Sequence, residues 1–260
     1  MALDRARIEE ELGRFGSAIG SPLSVAGETT STNDDARRAA MEGAPHGATF
    51  LADAQTAGRG RGGHSWFSPP GENLYMSTIL RPRVSPADIA PITLAIGLAV
   101  ARVVGRCLRG AGRVGLKWPN DVLVDGRKIA GVLVEGQLRG DRVTSLVAGI
   151  GVNVGTRAFP PELRDLATSL ALAGVGDLDR ERLAAALVAE VGCVVSAFEA
   201  AHLAPMLPEI RALDSLRDRE VDVGGSRGLA VGIDDGGRLL VRAASGEVRA
   251  VASGEVVAAS

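Results

Sequence analysis

The chain has 260 residues, 46% of them apolar, and 34 glycines, enough for one substantial core with a small second domain and too apolar for a disordered chain. A formal charge of -2 and a pI near 6.0 exclude a global basic field, so nucleic acid or an anionic membrane could be bound only through a local patch. The balance favours a small charged ligand.

Acidic residues Asp4, Glu9, Glu10 and Glu11 leave no basic n-region ahead of an apolar one, so no export signal is expected. A charged amphipathic helix over Leu3 to Phe15 leads to a short strand at Leu23 to Ala26, and Ser31 or Thr32 caps a helix running to about Met41. Ala48 to Ala54 and Leu74 to Leu80 are expected strands. Ser85-Pro86-Ala87-Asp88 combines a capping box with a first-turn proline and opens a helix to about Leu108. Its apolar part, Ile89 to Val104, is interrupted by Pro91, Gly97 and Arg102 and is too short for a membrane span. Val114 to Lys117, Val122 to Val124, Lys128 to Leu138 and Arg142 to Val152 predict an antiparallel meander, with turns at Pro119-Asn120-Asp121, Asp125-Gly126 and Arg139-Gly140-Asp141. Asp179 to His202 is a second long helix. Beyond Asp214, four short β segments separated by glycine turns predict a small β-barrel-like domain: Glu220 to Val223, Leu229 to Asp234, Arg238 to Ala243 and Val248 to Ala252. The absence of regular βαβ alternation favours α+β over a doubly wound fold. Cys107 and Cys193 fall in predicted helices without metal-type spacing and are expected to be reduced core thiols.

Between the second and third strands, Asp53 to Tyr75 sets Arg59 and Arg61 among Gly58, Gly60, Gly62 and Gly63, with Trp66 and Phe67 beyond. Glycine lets the backbone approach a ligand closely, and the guanidinium fork suits phosphate or carboxylate. The spacing also satisfies G-x-G-x-x-G, but Pro69-Pro70 follows where a dinucleotide site requires a helix. A single copy inside an apolar-rich chain does not make an arginine-glycine RNA-binding tract. An ordinary flexible loop remains as good a reading of this segment alone as a ligand clamp.

Lys117-Trp118-Pro119-Asn120-Asp121 converges a cation and oxygen-bearing side chains on one turn. That suits a magnesium–phosphate group, and equally suits a polar hairpin corner. Lys128 opens an apolar strand and either projects into a cleft or blunts a sheet edge, while Gly131 permits a close approach. Gly149-Ile150-Gly151-Val152-Asn153 is a second close-approach strand ending in an amide.

Taken together and in this order, Ser31-Thr32-Asn33, Gln55 to Trp66, Lys117 to Asp121, Arg127-Lys128-Ile129-Ala130-Gly131, Gly149 to Asn153 and the β-rich C-terminal part resemble the catalytic domain of biotin protein ligases. The likeness extends over essentially the whole chain. It implies an α+β, mixed-sheet core of biotin/lipoate ligase type over residues 1–213 and an SH3-like β-barrel domain over 214–260. It implies a cytoplasmic enzyme that activates biotin with ATP and magnesium and transfers it to a lysine of a biotin carboxyl carrier domain. Ser31, Thr32 and Gln55 would bond the biotin ring system, and Asn33, Gly58, Arg59, Gly60, Arg61, Trp66 and Gly131 would complete the biotin and adenylate site. Lys128 would contact both carboxylate and phosphate. Lys117, Asn120, Asp121 and Asn153 would surround the ATP phosphates, with Asp121 and Asn153 as magnesium ligands. Arg61, Lys117 and Lys128 would be the catalytic cations.

Relatives often carry further basic residues where this chain has Gly62 and His64, which puts extra phosphate contacts from the loop in doubt. Only about thirty residues precede Ser31, so neither operator DNA nor a membrane is an expected partner; oligomeric state is open, a homodimer included. Lipoate or octanoate transfer on the same core is the nearest alternative, and a non-catalytic nucleotide-binding module a distant one.

Overall fold

Leu74–Leu80, buried at every position, lies inside one large sheet, and the short, partly exposed Leu23–Ala26 and Val114–Lys117 lie at its margins. A computed structural model describes residues 2–140, 142–176 and 178–258, so Asp141 of the expected 139–141 turn and the last two residues of the 214–260 domain lie outside the described residues. The sheet consists of β1 (Leu23–Ala26), β2 (Thr49–Ala52), β3 (Leu74–Leu80), β4 (Val114–Lys117), β5 (Asp121–Val124), β6 (Arg127–Arg139) and β7 (Arg142–Val152). Its order is β1-β2-β3-β7-β6-β5-β4. The β1–β2 pair is parallel and every other neighbour is antiparallel, which makes the sheet mixed and the β4–β7 segment a meander.

One face is covered by α1 (Arg5–Arg14), α3 (Ile89–Leu108) and α4 (Arg180–Ala201). Ile92, Ile96, Leu98 and Val104 of α3 are fully buried, as are Leu187, Val188 and Val191 of α4. Each such side chain contributes roughly 1.5–3 kcal/mol relative to exposure, so packing rather than intrinsic propensity holds these helices. By length and composition both could cross a membrane, yet more than half of each apolar window is buried inside the fold. Asp4 caps α1 by accepting from the N–H groups of Ala6 and Arg7. Ser85 and Asp88 bond each other at the start of a short 3-10 turn, Pro86–Asp88, that feeds α3.

Among the described residues α2 (Thr32–Met41) is the helix on the opposite face, its Ala36 and Ala40 packed on Ile79 and Val147. The remainder of that face is left for the site.

After α5 (Leu207–Ala212), β8 (Glu220–Val223), β9 (Ser226–Ile233), β10 (Leu239–Arg242), β11 (Val248–Val251) and β12 (Val256–Ala258) form an antiparallel five-stranded sheet in the order β11-β10-β9-β8-β12. Among the described residues β11 does not pair with β12, so the expected barrel is an open sheet. It is tied to the main sheet by residues 213–215, which pair alongside β4, and by Trp118, whose buried Nε1 donates to the Gly237 carbonyl at 2.9 Å. Asp214 lies at this junction, and burial pushes its carboxyl above the usual carboxylate range. Cys107 is half-buried with its thiol pushed up by burial, whereas Cys193 is exposed on α4 rather than in the core, because its position on the helix faces away from α3 and the sheet.

Candidate active site

Cross-strand register hollows the free face of the sheet. Tyr75 on β3 is opposite Gly151 on β7, which is opposite Gly131 on β6; one step along, Ser77 is opposite Gly149, which is opposite Leu133. Two glycines at one level of the sheet and a third at the next leave a trough where side chains would otherwise stand. The N-terminus of α2 and the glycine loop roof it. The resulting groove, a narrow one of about 40 Å³, is lined among others by Ser31, Thr32, Asn33, Gln55, Trp66 and Lys128.

The groove's floor is a connected set of neutral polar groups. Thr32 N–H donates to Gln55 Oε1 at 2.9 Å, Gln55 Nε2 donates to Ser68 Oγ at 3.1 Å, and Ser77 Oγ lies 2.8 Å from Thr32 Oγ1 and 2.6 Å from Asn33 Oδ1. Thr32 Oγ1 also lies 3.2 Å from Gln55 Oε1, and Asn33 Oδ1 and Gln55 Oε1 can only accept, so the single protons of Ser77 and Thr32 are shared among three contacts. Gly149 is what admits Asn33, because a Cβ there would fall far inside contact distance of its Oδ1. Ser31 occupies the N-cap position of α2 but makes no side-chain capping bond. A capping residue that does not cap keeps its hydroxyl for the groove.

The glycine loop is folded as a small hairpin. Gly60 N–H donates to the His64 carbonyl at 2.7 Å and Trp66 N–H to the Gly58 carbonyl at 2.8 Å, with a 3-10 turn at Arg61–Gly63 in which Gly62 and Gly63 take φ of 68° and 83°. Gly58 has no room for a side chain, since a Cβ would lie 2.6 Å from Ser68 Oγ. Neither arginine stands free. Arg59 Nη2 bonds Asp34 Oδ1 at 2.9 Å and Glu135 Oε2 at 3.0 Å, while Arg61 Nη1 donates to the Gly254 carbonyl at 2.6 Å. His64 Nε2 lies 3.4 Å from Glu255 Oε1, an exposed pair that ties the loop to the C-terminal sheet a second time.

Trp66 lies across Gly151 and Gly131 so closely that a Cβ at Gly151 would overlap the indole. Its Nε1 is buried without a hydrogen-bond partner. Lys128 Nζ sits 5.2 Å from the centre of the same ring and 2.7 Å from Asp121 Oδ1, so a cation is held between the indole and a carboxylate. The start of β6 is not an open edge: residues 166–168 pair with it through Lys128 N–H to the Leu166 carbonyl and Thr168 N–H to the Lys128 carbonyl. Edge protection therefore does not account for Lys128.

Beyond Trp66 opens a larger cleft of about 690 Å³, open to solvent and lined among others by Arg61, Lys117, Asn120, Asp121, Lys128 and Asn153. Lys117 and Asp121 are direct cross-strand partners flanking the Trp118-Pro119-Asn120 turn. Asn120 Nδ2 donates to the Val132 carbonyl and Asn153 Nδ2 to the Thr168 carbonyl, each at 3.0 Å, so each amide is anchored to the fold through one of its two N–H donors, and its oxygen is the acceptor it can offer a ligand. Arg61, Trp66, Asn120 and Lys128 line both spaces. Lys128 stands at their common border.

Every expected site residue except Gly58 lines one or both of these spaces. Sequence reasoning did not single out Ser77, Tyr75, Asp34 or Glu135. A Ser–Thr pair inside an otherwise aliphatic run at Leu74–Leu80 was the available signal for Ser77; nothing local marks Glu135.

Residues 26–153 match the Biotin/lipoate A/B protein ligase family, and residues 209–258 match the Biotin protein ligase C terminal domain. The chain is 40% identical over 180 residues to the bifunctional ligase/repressor BirA of Bacillus spizizenii, and it spans about half (54%) of that relative's length with 67% of its own. Against the biotin--[acetyl-CoA-carboxylase] ligase of Mycobacterium tuberculosis it is 35% identical over 264 residues, covering 98% of this chain and 95% of the relative. The solved structure of biotin protein ligase from Aquifex aeolicus in complex with biotin and ATP superposes with a TM-score of 0.76 at 30% identity, covering 90% of this chain and 96% of that one. The chain belongs to the biotin protein ligase family.

Proposed function

We propose that this protein is an ATP-dependent biotin protein ligase. The observation that carries the reading is Lys128, placed at the border between a neutral, hydrogen-bonding groove and a wider cleft furnished with Lys117 and Asp121. Such a border is where a carboxylate and a polyphosphate must meet. Biotin's ureido ring is neutral and rich in donors and acceptors, matching Ser31, Thr32, Asn33 and Gln55, and the partnerless Nε1 of Trp66 offers a further donor. The biotin carboxylate oxygen attacks the α-phosphorus of ATP, the bond to the bridging oxygen of the β-phosphate breaks, and biotinyl-5′-adenylate and pyrophosphate result. The ε-amine of a carrier lysine then attacks the acyl carbon, AMP departs, and the amine gives up a proton.

No enzyme nucleophile is needed. The first step brings two anions together, so fixed cations at the junction do most of the work: Lys128 on the carboxylate and α-phosphate, Lys117 on the departing phosphates, Arg61 from the loop. Trp66 and the loop hairpin keep water from the mixed anhydride. The donor set fits a magnesium ion delivered with ATP, which takes one or two carboxylates plus phosphate oxygens. Asp121, with its buried Oδ1 free of any hydrogen bond apart from the Lys128 ion pair, and the Asn153 oxygen would hold it, and the ion would neutralise phosphate charge. Residues 1–213 form the catalytic unit in this reading and 214–260 an accessory domain that holds the loop through Gly254. The carrier is a biotin carboxyl carrier domain of a biotin-dependent carboxylase, and the location is the cytoplasm, where ATP, free biotin and reduced thiols coexist.

The test is ATP–pyrophosphate exchange with magnesium, comparing biotin, lipoate and no acid. Exchange with biotin alone is expected; exchange with lipoate alone would move the function to lipoylation, and exchange with neither would remove the catalytic reading. Arg61→Gly is expected to speed dissociation of biotinyl-adenylate about 10-fold or more, since it deletes a charge-assisted bond between loop and C-terminal sheet. Biotinylation of lysines on unrelated proteins should rise with it. Unchanged dissociation of the adenylate would remove Arg61 from the clamp.

A further inference from the structure

We infer that Glu135, together with Asp34, is a positioning pair that assembles the ring-binding groove by holding Arg59 as a latch, so that Arg59 is a tether of the glycine loop and not a ligand cation. The inference rests on the reading of the groove as the biotin ring site. Glu135 Oε2 receives Asn33 Nδ2 at 2.6 Å and Arg59 Nη2 at 3.0 Å; Asp34 Oδ1 receives the same Arg59 nitrogen at 2.9 Å. Asp34 Oδ1 also takes Arg37 Nη2 at 3.1 Å, so Asp34 is shared between two guanidinium groups, and Arg59 Nη2 is engaged by both carboxylates. The bonds cross 102 and 76 residues of chain, joining β6, the start of α2 and the loop at one carboxylate.

The consequence for Asn33 is orientational. An amide has one acceptor end and one donor end, and Glu135 as an acceptor-only group fixes the donor end outward. Asn33 Oδ1 is thereby turned to Ser77, which orients the Ser77 hydroxyl and through it Thr32. One carboxylate therefore sets both the arrangement of the groove floor and the closure of the loop above it. The Asn33–Glu135 bond is the part-buried, charge-assisted arm of this junction, since Asn33 is 4% exposed, while the two Arg59 arms are more exposed ion pairs.

The experiment is a double-mutant cycle on Glu135→Ala and Arg59→Ala, with Glu135→Gln and Asp34→Asn as gentler variants, read in two ways. Amide hydrogen exchange of residues 57–65 is followed on the full chain without ligand, and biotin binding is measured by calorimetry. Glu135→Ala and Arg59→Ala should each accelerate loop exchange, the double variant no more than the faster single one. Biotin affinity should fall about 10- to 100-fold, the loss of a charge-assisted bond, with the KM for ATP little changed and the melting temperature lowered by only about 2–6 °C, the effect of one unpaired amide. Glu135→Gln should be intermediate in exchange, since it keeps one acceptor but loses the charge, and Asp34→Asn milder still. Additive effects of Glu135→Ala and Arg59→Ala on exchange, or loop exchange indifferent to Glu135, would overturn the latch. A wild-type protein that binds no biotin while its loop exchange still responds non-additively to Glu135 and Arg59 would overturn the ring-site reading and leave the latch standing.

Discussion

Lys128→Ala is expected to lower biotin-dependent pyrophosphate exchange by about 10³-fold while the protein stays folded. Removing one preorganised donor from a site of charge development costs roughly 10²–10³ in rate, and two features of this site place Lys128 at the upper end. Its ammonium is 2.7 Å from Asp121 Oδ1, so its loss leaves a carboxylate uncompensated beside the incoming phosphates, a repulsion added to the lost attraction. Its position over the Trp66 ring also means that the alanine variant leaves the indole without the contact that braces it between the two spaces. Stability should change little, because the side chain is about one-third exposed and its aliphatic stem covers only Gly131 and Trp66. Lys128→Arg keeps the charge but replaces a compact ammonium by a planar fork in a slot bounded by an indole, and should recover only part of the activity. Initial exchange rates alongside thermal melts decide the matter: a folded alanine variant keeping a tenth of wild-type exchange would remove Lys128 from the chemistry.

The main frame of this fold is legible wherever local pattern and local turn agree. Leu23–Ala26, Leu74–Leu80 and Val114–Lys117 are strands at the limits that alternation and flanking turn residues predict, and the meander after Lys117 is bounded by its own turn residues. The strand expected at Ala48 to Ala54 is shorter, ending at Ala52, because Asp53 turns inward to pair with Arg180 and to accept Leu3 N–H. That competition involves partners 127 and 50 residues away and leaves no local trace. The short α5 and β12 carry too few residues for a period and exist through packing on elements already in place.

The site divides in the same way. Gly149 and Gly151, two apart on a strand, must share a face, which is readable; that Gly131 stands level with Gly151 depends on register and is not. The arginines show the limit most clearly, since a guanidinium suits a carboxylate of the protein as well as a ligand anion. Only the fold reveals that Arg59 is engaged by Asp34 and Glu135.

Gly149→Ala should abolish measurable biotin binding through a single methyl group. No backbone strain is involved, because Gly149 lies in regular β7 pairing with Ser77 and Leu133, and alanine takes that conformation freely. The obstacle is Asn33: an added Cβ would overlap its Oδ1, with Cγ at 2.8 Å and Nδ2 at 3.0 Å. Asn33 cannot step aside, being 4% exposed and held at one end by Ser77 and at the other by Glu135. Either its side chain is expelled, leaving Ser77 and Glu135 without a partner, or the start of α2 lifts and carries Ser31 and Thr32 out of register with Gln55. Overpacking costs about 1–3 kcal/mol, and each buried partner left unpaired about 1–3 kcal/mol more, so a fall in melting temperature of roughly 5–10 °C and a loss of biotin affinity beyond about 100-fold are expected. Steric and chemical parts separate in the double variant Gly149→Ala with Asn33→Ala. Removing the amide relieves the overlap and should restore much of the melting temperature, while biotin binding stays lost because the floor has lost the group that orders Ser77 and Thr32. A Gly149→Ala protein binding biotin as tightly as wild type would show that Asn33 does not organise the ring site, and the assignment of the groove would fall with it.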